Sequence, residues 1–392
     1  MEQKISSNYK YVILVSAIFI QICLGATYTW AIFVEPLKSL LHKSQAEVQF
    51  PFSVFYNFFP LTMIFSGFVL DKLGIRLTAV CGALLFGTGW MLTGFLGNDI
   101  RIITFFIGVV GGIGAGTVYL IPIKVCVQWF PQQKGLATGL AVAGFGGGSA
   151  LLSHIGRYLM EVHQLSPLFI FKIFGAAFLI IGSLCALLFK SPQSINNLQI
   201  ARVEVKPILM DKKFRLLYAG MFAGLFGGFA IIANLKQIYI YATPLMGATA
   251  VSLFAIFNAV GRITWGGIFD RSSGKFVVIL NLLSQALLLF VEPIFVINGV
   301  SLYLFASIAG FNYGGVLVIY ASEVGSIWGA EKLPKIYGWI FSANIIASIS
   351  PVFAGFIFDN YKTFSPAFLI IATYILATSA YFYFSYQKVR EG

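Results

Sequence analysis

Apolar runs of about 20 residues follow one another from Tyr11 to Tyr386, with only short polar breaks between them. About 20 residues in a helix cross the roughly 30 Å hydrocarbon core of a bilayer. Within lipid each backbone amide has to be satisfied inside its own segment, so such runs are restricted to a bundle of membrane-crossing helices. Twelve spans are expected, at roughly 11–34, 50–70, 77–97, 101–124, 135–157, 166–189, 214–235, 248–269, 276–295, 300–324, 334–357 and 364–386. The composition agrees: 58% of residues are hydrophobic and 10% charged, against about 25% charged in soluble domains. The first run is long and shows no small-residue cleavage site, so it reads as a span and not as a removable signal. The longest break, Ser191 to Lys213, is polar and basic. It divides the chain into an N-terminal six-helix bundle at 1–190, a cytoplasmic linker at 191–213 and a C-terminal six-helix bundle at 214–392.

The net charge of +12 could suggest a nucleic-acid partner. Its distribution reads instead as topology. With both termini placed in the cytoplasm, 17 of the 26 lysines and arginines fall in inner loops and tails and seven on the outer side. An excess of basic residues inside is the rule for membrane helices. The chain is expected to be a multi-pass protein of the plasma (inner) membrane, with the lipid bilayer as its surroundings. Cys23, Cys81, Cys126 and Cys185 are scattered through apolar spans, which gives neither a disulfide framework nor a metal site. No cofactor motif is present, and no nucleophile–base pair suggests an enzyme.

Two cations remain inside the membrane, Lys124 and Arg262. Arg262 lies eight residues before Asp270, hence about 12 Å from the end of its span and near the bilayer centre. An arginine there costs at least ~2.5–3.5 kcal/mol and faces a protein or water-lined interior. A bound anion is the simplest reason to keep it.

The two halves repeat. Gly67, Asp71 and Lys72 follow the second span as Gly266, Asp270 and Arg271 follow the eighth, 199 residues later. The same offset relates Gly116 to Gly315 and Trp129 to Trp328. Duplicated halves with a substrate site between them are a common construction of secondary transporters. In the stretch GFVLDKLGIR at 67–76, Gly67, Asp71, Lys72, Gly74 and Arg76 resemble the loop signature of the major facilitator superfamily. Several further stretches are similar to its oxalate:formate antiporter family. They are GATYTWAIF at 25–33, WFPQQKG at 129–135, NAVGRITWG at 258–266, FNYGG at 311–315 and YG at 337–338. The resemblance implies an all-α membrane protein with the twelve-helix major facilitator fold, working as a monomer by alternating access. It also implies that Arg262 pairs with a substrate carboxylate and that the Asp71 and Asp270 loops, with Arg271, stabilise one gate state.

The chain departs from that family in one place. A lysine expected in helix 11 is replaced by Asn344, so one membrane cation fewer is available and a monocarboxylate such as formate, pyruvate or lactate is favoured over oxalate. Asn258, one turn from Arg262, does not titrate, so no proton relay is evident beside it. Tyr28, Trp30, Tyr119, Tyr313 and Tyr320 are candidate walls for a small carboxylate, with packing as the alternative for each. Lys124 stands 199 residues before Glu323. The two are expected to form an inner-gate ion pair; alternatively both reach the interface separately, or Lys124 is a second substrate cation. Exchange or facilitated transport of a small carboxylate is the function expected. A carrier of another anionic metabolite or drug, or a transporter-like sensor, is the alternative.

Overall fold

The computed structural model describes residues 8–43, 45–192, 205–235, 238–239 and 241–387. Residues 193–204 of the expected linker lie outside the described residues, as do Lys236 and the chain ends carrying Lys4, Lys388 and Arg390. Every regular element among the described residues is a helix. Ten of these are each long and apolar enough to cross a bilayer. One of the ten, Phe50–Leu96, contains two crossings, because Gly74 breaks it with φ 76° and ψ 170°. A further crossing at residues 333–361 is divided into the pieces Leu333–Phe341, Ala343–Ala347 and Ser350–Tyr361. Together they make the twelve expected.

In chain order, α1 covers 9–41, α2 45–73 and α3 75–96, followed by α4 at Ile100–Trp129, α5 at Lys134–Glu161 and α6 at Pro167–Leu187. In the second half α7 is Lys212–Asn234, α8 Pro244–Arg271, α9 Gly274–Phe295, α10 Gly299–Ile327, α11 the broken stretch 333–361 and α12 Ser365–Gln387. The helices start where the sequence provides caps. Ser166, Asp211, Thr243 and Ser273 each accept a bond from a first-turn amide of α6, α7, α8 and α9. That satisfies donors that have no partner within the helix.

Two interrupted helices share a feature at their breaks. In α1 a tight 3-10 turn runs over Gly25–Thr29, where Thr27 donates to the Leu24 carbonyl at 3.1 Å and Thr29 to the Ala26 carbonyl at 2.6 Å. In α11 Ser342 donates to Trp339, Asn344 to Phe341 and Ser348 to Ile345. Such side-chain bonds, made three residues back, compete with the helical ladder and bend it.

The chain forms two compact units. Unit 1 takes in Met1–Pro131, Leu140–Ala201 and Trp328–Gly338. Unit 2 takes in Gln132–Gly139, Arg202–Ile327 and Trp339–Gly392. The units follow the sequence halves except at two short segments, the start of α5 and the start of α11. Each of these is packed with the helices of the opposite half.

Unit 1 is knit by aromatic packing. Trp90 is fully buried and meets Phe171 and Phe178 edge-on at 5.5 and 5.6 Å. Each such pair contributes about 0.5–1.5 kcal/mol beyond its buried area. Unit 2 is held by close backbone contact between α8 and α10. A methyl group on Gly261 would strike the Phe311 carbonyl, and one on Gly310 the Phe254 carbonyl. The outward faces of both units carry large exposed apolar side chains, among them Phe65, Phe95, Ile180, Leu287 and Phe384. On a multi-pass membrane protein these are the lipid-facing residues.

Candidate functional site

Arg262 is fully buried, at 0% exposure. Two glycines hold its backbone in place. A Cβ on Gly139 of α5 would fall on the Arg262 carbonyl, and a Cβ on Gly314 of α10 would lie 3.0 Å from its amide nitrogen. The arginine is therefore clamped at backbone distance by the start of α5 and by α10, which both belong to unit 2. Asn258, one turn back, is also buried, and its carbonyl faces Gly314.

The two copies of the Gly-x-x-x-Asp motif bind the displaced segments. In unit 1 Asp71 forms an ion pair with Lys335 at the start of α11. The lysine side chain is 6% exposed and also lies 5.2 Å from the Phe68 ring. Gly67 gives it room, since a Cβ there would lie 2.6 Å from the Lys335 Cγ. In unit 2 Asp270 accepts the amides of Gly135 and Leu136, at 2.7 Å each. These are second- and third-position amides of α5, which an N-cap side chain would ordinarily take. Gly135 and Gly266 make the approach possible: a Cβ on either would strike the other's carbonyl oxygen. Lys72, Arg76 and Arg271 are exposed.

The expected Lys124–Glu323 pair is not formed. Lys124, its side chain buried on α4, places its ammonium 2.9 Å from Glu331 Oε2 in the α10–α11 connection. Gln128, one turn further along α4, donates to Glu331 Oε1. Glu323 accepts instead from the Tyr386 hydroxyl of α12 at 2.7 Å. Its carboxylate sits over Gly274, where a Cβ would collide with it. Glu323 thus ties the first turn of α9 to α12. The 199-residue repeat relates the two positions in sequence, but their side chains have taken separate partners.

The aromatic candidates divide. Tyr28 lies in the 3-10 turn of α1, stacked on Tyr56 at 5.9 Å and edge-on to Phe145 at 5.1 Å. Tyr119 adjoins the same group, edge-on to Phe59 and Phe145. Trp30 is placed elsewhere. Its ring lies parallel to Phe171 and its indole N–H donates to the Val48 carbonyl at 3.2 Å, which makes it a packing residue. In unit 2 Tyr313 packs on Gly228 beside Phe229 and Phe254, and Tyr320 is buried over Gly220. Asn344 spends its amide on the Phe341 carbonyl at the break in α11.

Sequence reasoning missed Lys335, Glu331, Tyr386 and Tyr56. Lys335 had a signal: it stands 199 residues after Leu136, so the repeat that relates Asp71 to Asp270 also relates their partners. Glu331 had none, because an acidic residue in a short polar connection is ordinary.

Residues 15–351 match the family model described as Major Facilitator Superfamily. An uncharacterized MFS-type transporter, YhjX, of Escherichia coli (strain K12) is 27% identical over 358 residues, covering 88% of this chain and 87% of the relative. The oxalate:formate antiporter of Oxalobacter formigenes is 26% identical over 359 residues, covering 89% and 84%. Among solved structures, a single-site variant of the E. coli fucose:proton symporter FucP superposes with a TM-score of 0.75 at 15% identity, covering 97% of this chain and 99% of that one.

Proposed function

The chain belongs to the Major Facilitator Superfamily, and from that premise we propose that it carries a small carboxylate, a monocarboxylate in preference to oxalate, by exchange or facilitated transport. The observation that supports this most directly is Arg262, an arginine with 0% exposure in the middle of a membrane-crossing helix. A buried guanidinium is costly, and its planar fork of donors matches a carboxylate. The similarity to an antiporter of oxalate and formate points to the same substrate class. Asn344, where that family is expected to place a lysine, leaves one cation fewer and so favours a single negative charge.

In this reading Arg262 is the substrate handle. The motif aspartates hold one conformational state while the α5 and α11 starts are docked. The protein exposes its site to the two membrane faces in turn, with both termini in the cytoplasm.

Arg262→Ala is expected to reduce counterflow of labelled formate or pyruvate in proteoliposomes by more than 100-fold, with normal yield of folded protein. Counterflow by the wild type separates a carrier from a sensor that binds without translocating. Wild-type counterflow by the variant would remove the basis for the proposal.

A further inference from the structure

Glu331 is bound in a particular way. Its two carboxylate oxygens are taken by two different donors, the Lys124 ammonium at 2.9 Å on Oε2 and the Gln128 amide on Oε1. Both donors come from α4, four residues apart, and so stand on one face one turn apart. Ser191 further supports Gln128, donating to its Oε1 at 3.4 Å. The donors are built into the helix and buried: Lys124 is 6% and Gln128 6% exposed. The acceptor is not. Glu331 is 42% exposed and hangs from a short connection, which Gly329 opens with φ 84°. A fixed, buried cradle of two donors is therefore filled by a surface carboxylate on a tether.

We infer that the Lys124–Gln128 pair is a second carboxylate site, which a small free carboxylate on the cytoplasmic side takes by displacing Glu331. The chemistry of the cradle is that of a monocarboxylate: one charge, two oxygens, two donors. Lys124 is the positive member, and once Glu331 leaves it is a buried ammonium that requires an anion. A group on a short tether competes at an effective concentration on the order of mM, so a metabolite at similar levels displaces it. Release of Glu331 also loosens the start of α11, which the neighbouring Asp71–Lys335 pair holds in unit 1. Arrival of a carboxylate thus weakens a tie on that segment. The ligand class rests on the reading given above for Arg262; the site itself rests on the Glu331 contacts.

The test is a calorimetric titration of pyruvate into purified full-length protein in which Arg262→Ala has removed the first site. Adding Glu331→Ala to that background vacates the cradle and is expected to tighten pyruvate binding at least threefold. Adding Lys124→Gln as well is expected to abolish the gain. Glu331→Gln, which keeps the side chain and removes its charge, is the second variant should the alanine protein fold poorly, and the same threshold applies. A gain below threefold, or one that survives Lys124→Gln, overturns the inference. Failure of the Arg262 reading would show separately, as tight pyruvate binding or wild-type counterflow in the Arg262→Ala protein that still carries Glu331.

Discussion

The loops after α2 and α8 carry the same motif and solve the same problem with different physics. Asp71 meets an ammonium, that of Lys335, whereas Asp270 meets two backbone amides at the start of α5. The glycines that follow also differ. Gly74 is needed for its conformation: φ is 76°, and no atom lies within 4 Å of where a Cβ would stand. In the second copy the chain reverses through Ser272 and Ser273, both extended, and Gly274 has an ordinary conformation. It is glycine because the Glu323 carboxylate occupies the space. A shared sequence pattern therefore fixes where the contact falls and leaves open which force makes it.

Substitutions can break this contrast. The largest effect is expected from Asp71→Ala, which strands the buried Lys335 ammonium at a cost of about 3–5 kcal/mol. Because the partner is a side chain, adding Lys335→Met should recover most of the loss, and thermal unfolding in detergent checks both. Asp270→Ala should cost about 2–4 kcal/mol, for two charge-assisted bonds to amides left without an acceptor. No second deletion removes backbone donors, so here the rescue has to be a new cap. Gln133→Ser, preceding Lys134 at the start of α5, should return about 1 kcal/mol. If a Lys335 deletion rescued both aspartate variants alike, the contrast would collapse. The smallest pair sharpens the glycine argument. Gly74→Ala should cost about 1–3 kcal/mol for its backbone conformation whatever surrounds it. Gly274→Ala should be destabilising only while Glu323 is present, and Glu323→Ala is expected to suppress it.

Much of the fold was legible because lipid restricts a chain to few solutions. Hydropathy marked the crossings, and the motif at Gly67–Arg76 with its copy marked two of the contacts. The breaks at Gly25–Thr29 and in α11 were not legible, since short polar residues in an apolar run read equally well as ordinary helix. Arg262 stood out because a midplane charge is so costly. Trp30 and Tyr28 take different surroundings, although the two are neighbours in sequence. The 3-10 turn places Tyr28 against Tyr56, and the helix resumes with Trp30 against Phe171. Side-chain partnerships such as Lys124 with Glu331 depend on which loop returns to which helix, and periodicity carries no record of that.

The two displaced segments also set a timetable for synthesis. Asp71 and Lys124 leave the ribosome long before Lys335 and Glu331, their partners in unit 1. Lys335 is 264 residues behind Asp71, which at about 5–20 residues per second is a delay of roughly 13–53 s. For the α4 ammonium of Lys124 the wait for Glu331 is 207 residues, roughly 10–41 s at the same rate. The nascent first half is thus held back from its final packing until most of the second half has been made, so truncated chains ending before Trp328 should be recognised by quality-control proteases as incomplete.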